Sequence, residues 1–251
     1  MPMFVGILGI VGLFGFLYDV LMLSVVSTPI GNLGDITLRA IETLKACDAI
    51  ICEDTRVTGN LLKQLGIGSP YGRPAGTSLL SFHGHSDPGK VEHILNLLKA
   101  GKHLALVSDA GTPGISDPGY AIVSRAREAG VKIESVPGPS AFLTALSISG
   151  LPINHFVYLG FLPLKKGRKT LLASFKDEER TIVFYESVHR IVKTLTELAE
   201  ALKDQPERPV VVARELTKMH EDVVYTNVYS IAEAIPRLTL KGEFVVVIGA
   251  R

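Results

Sequence analysis

Three times along this chain a short apolar run stops in a cluster of proline, glycine and small hydroxyl residues, and a helical pattern follows. Residues 24–27 run into Thr28-Pro29-Ile30-Gly31-Asn32, residues 103–107 into Ser108-Asp109-Ala110-Gly111-Thr112-Pro113-Gly114, and residues 133–136 into Pro137-Gly138-Pro139-Ser140-Ala141. An apolar run of this length, cut off by turn residues, reads as a buried strand. Open α/β sheets bind ligands beyond the carboxyl ends of their parallel strands. Three such tips on one edge therefore predict a pocket. Gly111, Gly114 and Gly119 lack a Cβ and let backbone approach a ligand closely.

The same alternation extends over the rest of the chain. Apolar runs at 49–52, 79–82, 104–107 and 133–136 are separated by amphipathic stretches at 37–46, 55–65, 89–99 and 119–129. This order predicts a mostly parallel sheet with helices on both faces. A second set of runs lies at 156–160, 181–185, 210–213, 223–226 and 244–248, with helical patterns at 167–175, 188–202 and 230–235. The fold class expected is α/β, in two domains (residues 22–149 and 150–251) separated by a cleft, with Ser149-Gly150-Leu151-Pro152 as the junction.

Composition narrows the function. A net charge of +1 is small for a nucleic-acid binder, so any RNA contact must come from concentrated cations. Lys165-Lys166-Gly167-Arg168-Lys169 is the one dense cluster, and a solvated helix start is the alternative reading. Cys47 and Cys52 fit no metal template, and two reduced, buried thiols in a cytoplasmic protein are expected, with no metal. Residues 1–18 carry no charged side chain, and glycine recurs at 6, 9, 12 and 15. They lack the basic flank of a signal peptide and read as an upstream extension with the functional start at Met22; a membrane anchor is the alternative.

Nine motifs in order then carry a resemblance: VSTPIGNLGDIT, CEDTR, SFHGHS, VSDAGTPGISDPG, VPGPSAF, GFLP followed by Lys/Arg, FYESVHR, ARELTK and GEFVVVIG. Together they resemble the bacterial ribosomal RNA small-subunit methyltransferase I family, within the tetrapyrrole-methylase superfamily. The resemblance covers residues 22–251. It implies two α/β domains of the tetrapyrrole methylase type, an interdomain cleft for S-adenosyl-L-methionine, a homodimer, and 2'-O-methylation of a cytidine in 16S rRNA, within the 30S subunit.

Methyl transfer from a sulfonium is a direct displacement, so alignment is the protein's main task and can contribute about 7–11 kcal/mol. Pro29, Ala110 and Gly111 are expected to form a close backbone wall, with Thr112 beside them. Asp109 suits ribose or amino groups. Ser140 and Ala141 open a helix whose free N–H groups suit a carboxylate. Tyr185 and Ala213 are expected to face the cleft from the second domain. For Asp109 the bland alternative is a turn aspartate, and for Ser140 a plain N-cap.

The acceptor hydroxyl must also lose a proton. Glu53, Asp54, His83, His85, Glu186 and Glu215 are all available; Asp54 and Glu186 are the preferred bases, with Arg56 and Lys218 as electrostatic partners. A capping role for Asp54 with a surface Arg56 competes with this. Phe82, Phe161, Tyr185 and His189 are candidate stacking surfaces. Two other functions stay open: a methylase acting on a porphyrinoid carbon, and an RNA-binding scaffold without turnover.

Overall fold

The computed structural model of the protein describes residues 21–68, 78–84 and 88–251. The expected extension at residues 1–21, apart from Leu21, and the candidate base His85 lie outside the described residues. Among the described residues, no helix is long and apolar enough to cross a membrane.

The first sheet is built from β1 (Met22–Val26), β2 (Ala49–Cys52), β3 (Ser78–Ser81), β4 (His103–Leu106) and β5 (Lys132–Val136). Its order is β3-β2-β4-β1-β5 and every neighbouring pair is parallel. Side chains alternate faces along each strand. Ala49 and Ile51 point with Leu104 and Leu106 to one face, Ile50 and Cys52 with Ala105 to the other. The first face is covered by α3 (Pro88–Lys99) and α4 (Gly119–Glu128) through Ile94, Leu98, Ile122 and Ala126. The second is covered by α1 (Leu38–Ala46) and α2 (Thr55–Gln64) through Ala40, Leu44 and Leu62. Both of these last helices start where a side chain satisfies an orphan amide: Thr37 Oγ1 accepts from Ala40 N at 3.1 Å, and Asp54 Oδ1 from Arg56 N at 2.8 Å.

The second sheet contains β6 (Phe156–Phe161), β7 (Thr181–Ser187), β8 (Pro209–Arg214), β9 (Asp222–Asn227) and β10 (Glu243–Ile248), in the order β6-β7-β10-β8-β9. Only β6 and β7 pair parallel; the other three pairs are antiparallel. For β8 and β9 the reason is local: β8 returns as β9 through a short turn with no helix between them, and a connection that short can only join antiparallel strands. Outer cover comes from α6 (Arg168–Ser174), α7 (Ile191–Ala201) and α8 (Ile231–Ala234).

The inner face of this sheet is covered by α5 (Ala141–Ile148), whose Phe142, Ala145 and Leu146 pack on Val183, Val211, Val245 and Val247. The chain thus joins the second core at α5, ahead of the expected junction at Ser149–Pro152. That placement points the start of α5, which follows directly on β5 of the first sheet, at the seam between the two.

Candidate active site

The three Pro/Gly tips are fastened to one another. Thr28 and Gly111 exchange backbone bonds (Thr28 N to Gly111 O 2.9 Å, Gly111 N to Thr28 O 3.1 Å). Thr112 Oγ1 donates to the Pro139 carbonyl at 3.0 Å; its single hydrogen is then used, so it accepts from Ser27 Oγ, also at 3.0 Å. Ser27, Thr28 and Ser108 are buried, so these bonds are sheltered from water. Asp117 staples the long middle loop, accepting from Gly114 N at 2.8 Å and Gly119 N at 2.7 Å.

Between these tips and the second sheet lies a cavity of about 230 Å³. The first domain contributes Glu53, Asp109, Ala110, Gly111 and Thr112; Ser140 and Ala141 come from the start of α5; the second domain contributes Phe161, Tyr185, Leu216 and Lys218. Ser116 Oγ meets Tyr158 Oη at 2.6 Å and so ties the middle loop to the second domain. Tyr185 Oη accepts from Phe142 N at 3.3 Å, and its ring packs against Tyr158 and Phe161. Burial pushes the Tyr185 hydroxyl well above the usual phenol range, so it stays a neutral donor. Ser140 Oγ is buried near that hydroxyl, and among the described residues it has no partner within hydrogen-bond geometry. A buried hydroxyl left unpaired at a helix N-terminus is costly unless a ligand completes it.

The carboxylates divide by environment. Asp54 caps α2 and forms a fork with Arg56 (Nη2 to Oδ2 2.6 Å), which stands 88% exposed. The Arg56 hydrogen bonds hold the Asp54 carboxyl at about 2, too weak a base for this task and outside the cavity lining. Its role is to cap the helix. Its backbone N–H also donates to Asp109 Oδ1 at 3.1 Å, fixing the Asp109 carboxylate at the rim.

Glu186 corrects in the same direction. Its side chain is fully buried, with Arg190 Nη2 at 2.7 Å, Thr194 Oγ1 at 2.6 Å and Arg168 Nη1 at 3.9 Å. A carboxylate held by these partners is a structural counter-ion rather than a proton acceptor.

Glu53, named in the sequence but not preferred, shares Glu186's place in the cavity lining but not its arginine partners. It lines the cavity at the tip of β2, and burial, followed by the charges of Asp117 and Asp109, pushes its carboxyl up to about 6. The sequence signal was its place directly after a strand, which Asp54 shares to within one residue.

Other expectations shift too. Pro29 is buried, and Ile30 beside it supplies the lining side chain. Ala213 lies inside β8, fully buried in the core under α5; the residues that reach the cavity are Glu215, Leu216 and Lys218, beyond the strand end. Phe82 is core, whereas Phe161 is half exposed and lines the cavity; His189 is exposed. Arg168 is buried and paired with Glu197 Oε2 at 2.7 Å, which leaves Lys165, Lys166 and Lys169 as the exposed cations of the basic cluster. Cys47 and Cys52 are buried and not joined. Among the described residues no cluster of His, Cys, Asp and Glu could hold a metal ion.

Residues 22–232 match the family described as tetrapyrrole (corrin/porphyrin) methylases. The chain belongs to the tetrapyrrole methylase family. Within it, the ribosomal RNA small subunit methyltransferase I of Synechocystis sp. is 46% identical over 90% of this chain and 78% of that one. The protein of the same name from Thermotoga maritima is 44% identical over 91% of this chain and 98% of its own. Solved structures agree in fold: the methyltransferase CobJ superposes with a TM-score of 0.66 at 20% identity, over 91% of this chain and 94% of that one. A uroporphyrin-III C-methyltransferase from Thermus thermophilus, solved with S-adenosyl homocysteine, superposes with 0.59 at 20% identity, over 91% and 97%. This methylase is therefore a methyltransferase with the two-domain fold of its family, and the cavity lies where the two sheets meet.

Proposed function

We propose that this methylase transfers the methyl group of S-adenosyl-L-methionine to the 2'-oxygen of a cytidine in 16S ribosomal RNA, acting on the 30S subunit as a homodimer. The observation that carries the reading is the joined rim of strand tips around a cavity in a chain whose relatives are named for the small-subunit ribosomal RNA. The residues present fit the cofactor. The unpartnered Ser140 Oγ and the first amides of α5 suit its carboxylate, Asp109 suits its ribose hydroxyls, and Ile30, Leu216 and Val245 offer apolar cover for its adenine. When bound, the cofactor supplies a methyl group on a positively charged sulfur.

The chain's own work is then threefold. The bonded tips hold the rim rigid, which favours alignment. Glu53 accepts the proton that the attacking hydroxyl gives up; a carboxyl near 6 is largely ionised at neutral pH yet more basic than an ordinary one. Lys165, Lys166 and Lys169 form an exposed cationic approach for the phosphate chain. The homodimer is supported by the exposed apolar side chains Leu143, Ile148, Ile153 and Phe156 along one stretch of chain.

The test is a labelled-methyl assay with unmodified 30S subunits, free 16S RNA and a porphyrinoid acceptor in parallel. Label recovered as 2'-O-methylcytidine is the expected result; label only in the porphyrinoid, or bound cofactor with no transfer, overturns the reading. Asp109→Ala should weaken cofactor binding at least tenfold by calorimetry with the fold intact; near-normal affinity would remove Asp109 from the site. Lys165→Ala/Lys166→Ala should weaken RNA binding and flatten its salt dependence by about two phosphate contacts, with cofactor affinity unchanged.

A further inference from the structure

Lys218 stands alone among the residues that line the cavity. Every other charged residue there is acidic, namely Glu53, Asp109, Asp117, Glu186, Glu215 and Glu243. A phosphate chain approaching such a rim finds an opposite charge among these lining residues at Lys218 alone. The chemistry of the proposed acceptor makes this specific. A 2'-hydroxyl inside an RNA chain always has a phosphodiester on the adjacent 3'-oxygen, so a cation within reach of the first is within reach of the second.

The turn that carries Lys218 is tightly held. Glu215 (φ +50°) and Thr217 (φ +66°) both occupy the left-handed region, which side chains with a Cβ rarely adopt and which tends to persist where surrounding bonds enforce it. Those bonds are present. Glu215 Oε1 accepts from Lys218 Nζ at 2.8 Å and from Glu243 N at 3.2 Å, while Glu215 N donates to Glu243 O at 3.2 Å. Glu221 Oε2 accepts from Thr217 N at 2.6 Å, and Arg214 Nη2 donates to the His220 carbonyl at 2.7 Å.

Two glycines make room for the arrangement. A Cβ on Gly242 would come within 2.2 Å of Glu215 Oε1, and one on Gly31, in the first domain, within 2.2 Å of Lys218 Cγ. The lysine stem therefore crosses from one domain to lie on the backbone of the other.

We propose that Glu215 is a positioning residue that pins this turn so that Lys218 presents its ammonium to the phosphodiester beside the acceptor hydroxyl. The proposal rests on the RNA reading above and names the group that would make the site require an internal nucleotide. It is tested with the full chain and 16S RNA, using Lys218→Ala, Glu215→Ala, the double variant and Glu215→Gln. Lys218→Ala should raise KM for RNA about tenfold and reduce the salt dependence of RNA binding by about one contact, with a smaller change in cofactor affinity, since Leu216 of the same turn lines the cavity too. Glu215→Ala should reproduce that pattern, and the double variant should be no worse than Lys218→Ala alone, because the glutamate acts through the lysine. Glu215→Gln, whose amide oxygen can accept from both Lys218 and Glu243, should recover most of the loss. Losses that multiply in the double variant, an unchanged salt dependence, or a loss larger in cofactor affinity than in KM for RNA would overturn the proposal while transfer to RNA by the unaltered protein still stood. Failure of the unaltered protein to methylate RNA would overturn the RNA reading and this proposal with it.

Discussion

Glu53→Gln is expected to lower kcat by about 10²–10⁴-fold, with the affinities for cofactor and RNA close to those of the unaltered protein. The substitution keeps size and shape and removes only the ability to take a proton. It should not harm the fold. Glu53 has a carboxyl raised in the folded chain, to about 6, so its charged form is disfavoured there and stability gains as pH falls through that value. Neutral glutamine also ends the repulsion from Asp117 and Asp109, so the variant should melt no lower than the parent. The pH dependence follows from the same group. Turnover needs the ionised carboxylate, so kcat should fall as pH drops below about 6 and level off above it. In Glu53→Gln that inflection should vanish. A variant that keeps its turnover, or keeps the inflection, would exclude Glu53 as the base.

The second large effect is on stability. Glu186→Ala should destabilise the protein by about 3–5 kcal/mol, since it strands buried cationic partners without their counter-charge. Arg168 and Glu186 are almost wholly enclosed, and Arg190 is mostly so. The consequences reach the surface. Arg190 Nη1 donates to the Leu162 carbonyl at 3.1 Å and Arg168 Nη1 to the Pro163 carbonyl at 3.2 Å, so the two guanidinium groups brace the segment leading to Lys165 and Lys166. Loss of Glu186 should therefore lower the melting temperature by on the order of 10 °C and weaken RNA binding together. Turnover per folded, RNA-saturated molecule should survive. A Glu186→Ala protein that melts normally but cannot turn over would restore Glu186 to the chemistry.

These two glutamates show what the sequence reveals and what it hides. Both directly follow an apolar run, and both stand in motifs that carry the family resemblance. What separates them is the set of neighbours supplied from distant parts of the chain. Arg168 and Thr194 approach Glu186, whereas Asp109 and Asp117 surround Glu53. Arg190, four residues after Glu186 in the same motif and 2.7 Å from its carboxylate, is the local part of that difference.

The strands and helices of the first domain were legible because period-2 and period-3.6 patterns are local, and parallel pairing follows from the intervening helices. The mixed pairing of the second sheet was less so, because it depends on which strands lie side by side. The rim was legible as well. Pro and Gly end a strand wherever they stand, and the three tips meet because their strands are neighbours or next neighbours in β4-β1-β5 order. Lining residues beyond a strand end were harder. Glu215 and Lys218 were named as candidates and do line the cavity, but Ala213 was expected there and Leu216 lines it instead, because the strained turn after β8 carries the chain forward before its side chains turn inward.

The claim beneath all of this is that one cofactor bridges the strand tips of the first domain, the start of α5 and the turn after β8. Hydrogen–deuterium exchange on the full chain with and without S-adenosyl-L-methionine tests it directly. Exchange should slow together at residues 109–112, 140–142 and 215–218. Saturating cofactor that protects only one of these segments, or amides elsewhere, would contradict it.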